Sequence, residues 1–220
     1  MIYEQNDYTG YLKIMVEEQL KTRGIDNKNV LKAMLEVPRH KFVLSKYMDY
    51  AYQDSAVPID EGQTISQPYI VAKMIQALKP ENNDKILEVG TGSGYATAVL
   101  SRISRQLYTI ERHKLLASQA QARYKELGYE NIEIKIADGT KGWQDKAPFD
   151  KILVSAGAPA IPEPLTNQLK LGGILIIPVG KEKKLQKLIR LFKTSENNYK
   201  IEELESVRFV PLVGEKGWTH

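Results

Sequence analysis

The apolar positions of this 220-residue chain change period near residue 85. Before that point they recur at helical spacing. Leu12, Ile14, Met15, Val16 and Leu20 share a face that stops near Gly24, and Val30, Leu31, Met34 and Leu35 make a second. Asp26 or Asn27 is placed to cap that second helix, and Pro38 ends it. Residues 40–65, rich in Tyr, Asp, Pro and Gly, read as irregular. Ser66 then stands as the N-cap of a third helix, with Pro68 in its first turn and a stripe of Ile70, Val71, Met74, Ile75 and Leu78.

From residue 85 short apolar runs alternate with helical stretches. Strands are predicted at Lys85–Val89, Leu107–Ile110, Ile132–Ile136, Lys151–Val154 and Ile174–Val179. Helices are predicted near 95–103, 112–127 and 162–170, with Gly128 closing the middle one. Such alternation builds a parallel sheet with helices on both faces. After Gly180 two strand-like runs, Leu185–Lys193 and Ile201–Phe209, flank the polar Thr194–Asn198, which reads as an antiparallel hairpin. The expected fold is α/β: a doubly wound, mainly parallel, seven-stranded sheet with an N-terminal helical extension and a C-terminal antiparallel hairpin. The chain reads as a single domain over 1–220. Residues 1–80 form the helices and an active-site loop, 81–180 the cofactor-binding core, and 181–220 the last strands and a tail.

Composition narrows the partners. Hydrophobic residues make up 42% and charged residues 26%, ordinary for a globular domain with a sizeable core. The net charge of +4 and pI near 9.0 are carried by dispersed basic residues. The densest run, Lys181–Lys187, is broken by Glu182, Leu185 and Gln186, so no nucleic-acid partner is expected. Absence of cysteine excludes disulfides, thiolate zinc sites and cysteine nucleophiles, and fits a cytoplasmic location. Met1–Gly10 is polar and unlike a signal peptide, and the apolar run Ile174–Val179 is far too short to span a bilayer. No metal site is expected.

The chemistry concentrates at strand ends, where open α/β sheets bind ligands. In Ile86-Leu87-Glu88-Val89-Gly90-Thr91-Gly92-Ser93-Gly94-Tyr95, an apolar strand runs into three alternate glycines and a helix. A dinucleotide fingerprint wants a small residue where Tyr95 stands. Glu88 instead makes the pattern acid-x-Gly-x-Gly-x-Gly, seen where S-adenosylmethionine (AdoMet) binds. There the carboxylate orients the cationic methionine end and the glycines admit close backbone approach. Glu111 follows about twenty positions beyond Gly90, where a carboxylate accepts from ribose hydroxyls. Asp138-Gly139 follows the third strand, with an acceptor for an adenine amino group and room for its ring. The residues alone leave open an AdoMet methyltransferase, including one acting on RNA or a small metabolite, an AdoMet-binding module without catalysis, and a nicotinamide oxidoreductase.

The stretch Val57-Pro58-Ile59-Asp60-Glu61-Gly62-Gln63-Thr64-Ile65-Ser66-Gln67-Pro68 resembles the hallmark loop of the protein-L-isoaspartate O-methyltransferase family. The likeness continues at Leu87–Tyr95, Asp138–Trp143, Pro148–Asp150, Ala156–Pro164, Leu171–Gly173, Ile177–Gly180 and Arg208–Leu212, with Val37-Pro38-Arg39 and Phe42 upstream. It implies the Rossmann-like methyltransferase fold and methyl transfer from AdoMet to the α-carboxyl of L-isoaspartyl residues in damaged proteins and peptides. S-adenosylhomocysteine is then the product, and the ester cyclises to a succinimide. It further implies that Ser66 is catalytic. Gln63, Thr64 and Ile65, together with Glu88, Gly90, Thr91, Gly92, Ser93, Gly94, Glu111, Asp138 and Gly139, would hold the cofactor. Val57, Pro58, Ile59, Leu212 and Val213 would hold the peptide as an extended strand, although Val57 and Ile59 read equally as core residues. Val213 stands where many relatives carry a polar residue, and Glu215–His220 match the family poorly. A carboxylate of pKa near ~4 is already ionised at neutral pH, so the reaction needs no strong base. None of His40, His113 and His220 sits in the cofactor motifs, and His40 reads as a structural or surface residue.

Overall fold

The computed structural model describes residues 8–182 and 185–219. Most of the polar Met1–Gly10 stretch, the middle of the Lys181–Lys187 run and the last residue of the tail, His220, lie outside the described residues. The first helical run is continuous but changes pitch. Helix α1 (Tyr8–Ile14) passes into a π-helical turn over Met15–Leu20 and a 3-10 turn over Lys21–Arg23, stopped by Gly24 at φ 85°. Met15, Val16 and Leu20 are its buried face. Asn27, rather than Asp26, caps α2 (Lys28–Glu36), accepting from the amides of Asn29 and Val30. Val30 and Met34 are buried while Leu35 is exposed, so the apolar face is narrower than the spacing suggested.

Residues 39–65 are not wholly irregular. Two 3-10 turns, Arg39–Phe42 and Ser45–Tyr50, lead to a small antiparallel pair, β1 (Val57–Pro58) and β2 (Thr64–Ile65), with Val57 opposite Ile65. Helix α3 (Pro68–Leu78) follows. Its N-cap is Gln67, not Ser66, and no side chain caps it. The carbonyl of Ser66 is instead bound by Arg39, which holds that residue outside the helix.

The remaining strands are β3 (Lys85–Val89), β4 (Gln106–Glu111), β5 (Ile132–Ile136), β6 (Phe149–Val154), β7 (Leu169–Glu182), β8 (Leu185–Ser195) and β9 (Asn198–Val207). They form one seven-stranded sheet in the order β5-β4-β3-β6-β7-β8-β9. The pairs from β5 to β7 are parallel, while β7–β8 and β8–β9 are antiparallel, as the expected terminal hairpin requires. Helices α4 (Tyr95–Ser101), α5 (Lys114–Glu126) and α6 (Glu163–Asn167) make the crossovers. The helix expected over 162–170 is only five residues long, because Leu169 already pairs with Phe149 at the start of β7.

Alternation along β3 divides the core between two faces. Ile86 joins a cluster with Met34, Phe42, Ile75 and Tyr95. Leu87 and Val89 join another with Trp143, Phe149, Ile152 and Ile177. The order reverses at β3, with β4 on one side and β6 on the other. The strand ends there open the crevice in which the site is built.

Candidate active site

One cleft lies over the carboxyl ends of β3, β4 and β6. Its floor is the turn after β3, where Gly90, Gly92 and Gly94 all have positive φ. Gly94 needs that freedom twice over. Its φ is 89°, and a Cβ there would stand 2.6 Å from the Tyr124 hydroxyl. Gly139 meets the turn from the next layer, where a Cβ would come within 2.4 Å of a Val89 methyl. No side chain larger than hydrogen fits at either position without displacing the floor of the cleft.

Glu88 is fully buried and faces the cleft. Its Oε2 accepts from Thr97 and, at 2.8 Å, from Thr109, whose hydroxyl also meets that of Thr91 at 2.7 Å. Its Oε1 has no partner. Burial pushes its carboxyl up to about 7, against the opposing pull of the threonine hydroxyls and with a further push from Glu111. A buried carboxylate with one orphaned oxygen is a receptor for a cation. The donor set therefore fits the sulfonium and ammonium groups of AdoMet.

Glu111 holds the far side of the turn. It accepts from the amides of Gly92, Arg112 and His113 at 2.8–2.9 Å. A carboxylate offers about four acceptor positions, so room remains for a ribose hydroxyl. Thr91 and Ser93 line the same turn, and Gln63, Thr64, Ile65 and Ser66 form part of the wall. Leu212 and Val213 complete the mouth.

Other predicted residues lie elsewhere. Gly94 acts from behind the turn. Val57 and Ile59 are buried in the core, and the Ile59 side chain stands 3.8 Å from where a Gly92 Cβ would be, so only the backbone of β1 and the exposed Pro58 are offered outward. Asp138 opens on a neighbouring depression with Val213 and Trp218. Its Oδ1 accepts from the amide and hydroxyl of Thr140, and its Oδ2 from the amide of Glu215. Burial would raise its pKa, but these hydrogen bonds outweigh it and hold the group below the usual aspartate range.

The sequence reading missed several contributors. Ser155, just beyond β6, lines the cleft and, with the threonine hydroxyls, opposes the upward push of burial on Glu88; the strand-end rule that found Glu111 also points there. His113 lines the cleft too and sits 3.3 Å from Glu61, so one histidine does belong to the site. His40 is structural as expected, stacked on Tyr8 at 4.0 Å and bonded to the Tyr52 hydroxyl. Arg39, behind Ser66, stood in the family-like Val37-Pro38-Arg39 stretch, but no local feature assigned it to the site. Among the described residues no cluster of acidic or histidine side chains forms a metal site, and no helix is long and apolar enough to cross a membrane.

The family model of protein-L-isoaspartate(D-aspartate) O-methyltransferases matches residues 12–217. The chain belongs to this family. A relative named protein-L-isoaspartate O-methyltransferase, from Pelotomaculum thermopropionicum, is 54% identical over 98% of this chain and 93% of its own length. A solved protein-L-isoaspartate O-methyltransferase superposes with a TM-score of 0.84 at 27% identity, covering 96% of this chain and 67% of that one. The structure of a putative isoaspartate methyltransferase from Plasmodium falciparum, in complex with S-adenosyl-L-homocysteine, gives 0.76 at 29% identity, with coverage of 94% and 98%. The methyltransferase family match runs three residues into the tail that begins at Glu215, further than the sequence comparison suggested. That tail is integral to the site region: Glu215 pairs with Lys141, and the indole of Trp218 donates to the Gly157 carbonyl.

Proposed function

We infer that this protein transfers the methyl group of AdoMet to the α-carboxyl of L-isoaspartyl residues in damaged proteins and peptides, opening their repair through a succinimide. One observation carries the reading: the Thr64–Ser66 segment lines the same cleft as Glu88, a buried carboxyl with one oxygen left without a hydrogen-bond partner. The first belongs to the isoaspartyl loop and the second to the cofactor turn. When bound, AdoMet supplies an electrophilic methyl group and leaves as S-adenosylhomocysteine.

The chain's own work is positioning. Glu88 receives the cationic end of the cofactor, and the backbone of Gly90–Gly94 receives it closely. Glu111 takes the ribose. Gly139 makes room for the adenine, and Asp138 keeps one lone-pair position on Oδ2 for its amino group. Gln63, Thr64 and Ile65 close the wall. The Ser66 hydroxyl holds one oxygen of the acceptor carboxylate. Val57, Ile59 and Leu212 bury their side chains, and the Leu212 amide and carbonyl are bonded to Gly157 and Trp218, so β1 and Val213 grip the peptide through main-chain atoms while Leu212 shapes the mouth. Recognition of that kind is tolerant of neighbouring sequence, as a repair enzyme requires. On this reading the three stretches of the chain act as one unit, its partners are isoaspartyl proteins and peptides, and it works in the cytoplasm.

Incubation with methyl-labelled AdoMet and a matched pair of isoaspartyl and aspartyl peptides tests this. Label is expected on the isoaspartyl peptide only. Equal labelling of both, or of neither, overturns the reading.

A further inference from the structure

Arg39 is a cation sealed inside the protein without an anion. It is fully buried, at 0% exposure. Its Nε donates to the Ala51 carbonyl at 2.7 Å and its Nη2 to the Ser66 carbonyl at 2.8 Å. The guanidinium carbon lies 4.7 Å from the centroid of the Tyr95 ring. Nη1 has no hydrogen-bond partner. Among the described residues Arg23 and Arg190 form ion pairs, with Asp54 and Glu202, and Arg39 forms none. Buried charges are ordinarily paired, because desolvation is costly and a guanidinium cannot shed its proton to escape that cost. Burial lowers this group only to about 10, so it stays charged at neutral pH. The chain thus maintains an uncompensated positive charge one hydrogen bond behind the residue assigned to the acceptor.

We propose that Arg39 is a positioning residue for the acceptor: through the Ser66 carbonyl it fixes the turn entering α3, and the substrate α-carboxylate seated at Ser66 is the negative charge its guanidinium lacks. This rests on the methyl-transfer reading above. Two consequences follow from the charge. The site prefers a carboxylate over the neutral amide of an undamaged asparagine. It also loses its hold when the acid becomes an ester, so the same residue that favours substrate entry favours product release. A purely structural strap between Ala51 and Ser66 produces neither effect.

The test compares Arg39→Gln, which keeps a donor without charge, and Arg39→Lys, which keeps the charge without the fork. Binding of the isoaspartyl peptide and of its methyl ester is measured on the S-adenosylhomocysteine complex, with KM, kcat and AdoMet affinity alongside. The Gln variant should raise the peptide KM about tenfold and erase the acid-over-ester preference, with AdoMet affinity within about twofold of normal. The Lys variant should regain most of that preference. A folded Gln variant with the wild-type acid-to-ester ratio overturns the proposal. If that variant does not fold, the wild type decides: the nitrogen-15 resonances of the Arg39 guanidinium should move on adding the acid peptide and not on adding the ester, and an equal response to both overturns it. Failure of the functional reading is distinguishable, since the wild type would then methylate no isoaspartyl peptide at all.

Discussion

Glu88 and Arg39 are two buried charges of opposite sign, each with one polar atom left without a partner. They serve one cleft by different routes. Glu88 lines it; Arg39 reaches it through the Ser66 carbonyl. Their chemistry makes them respond differently to the same burial. A carboxyl raised to about 7 is divided between its neutral and ionised forms near neutral pH and shifts to the ionised form beside a cation. A guanidinium has no such refuge and stays charged throughout. The cofactor side of the site is therefore adjustable by a proton, and the acceptor side is permanently electropositive.

The largest effect that tests this division is expected on the acceptor side. Ser66→Ala should lower kcat by about 100-fold while AdoMet affinity stays within about twofold, by steady-state kinetics and calorimetry. Near-normal kcat would reduce Ser66 to a loop residue. On the cofactor side, Glu88→Gln should weaken AdoMet binding about tenfold, roughly 1.4 kcal/mol, and leave the acid-over-ester preference for peptide intact. Loss of both together would dissolve the comparison.

The pH dependence sharpens it. On the proposed role of Glu88 AdoMet binds its ionised form, so wild-type affinity should rise from pH 6 through about 7, and Glu88→Gln should be flat. Stability of the ligand-free enzyme runs the other way. Folded Glu88 holds a proton that the unfolded chain has lost, so its contribution is fully present below the ordinary glutamate range and is lost as pH rises through about 7. Thermal unfolding between pH 5 and 8 should show that loss in the wild type and not in Glu88→Gln. The smallest effect is expected at Asp138, where Asp138→Asn should weaken AdoMet binding by about two- to fivefold, about one hydrogen bond. An unchanged AdoMet affinity with a raised peptide KM would assign Asp138 to holding the tail rather than the adenine.

Sequence carried the cofactor side further than the acceptor side for a physical reason. Strands β3 and β5 begin and end at the predicted residues: β3 lies between Asp84 and Gly90, and β5 is a strict alternation of Ile with Glu and Lys. The Glu88 turn was legible because strand, acid and glycines are contiguous. The β1–β2 pair was not, since two-residue strands carry no periodicity and their register depends on a turn of five residues between them. Ser66 fell one position short of capping α3 because its carbonyl is held from 27 residues away. Arg39 itself was unreadable as a site residue. Its hydrogen-bond partners are backbone carbonyls, Ala51 and Ser66, and a backbone acceptor leaves no mark on side-chain identity.

With Glu88 in the cofactor role proposed for it, its carboxyl also makes cofactor capture a proton-releasing event. A group whose pKa burial raises to about 7 in the free enzyme, and which is ionised beside a cation, releases part of a proton on binding. The heat of AdoMet binding then contains the ionisation enthalpy of whatever buffer receives that proton. Titrations at one pH in phosphate and in Tris would differ by a predictable amount, and the difference counts the protons that Glu88 gives up.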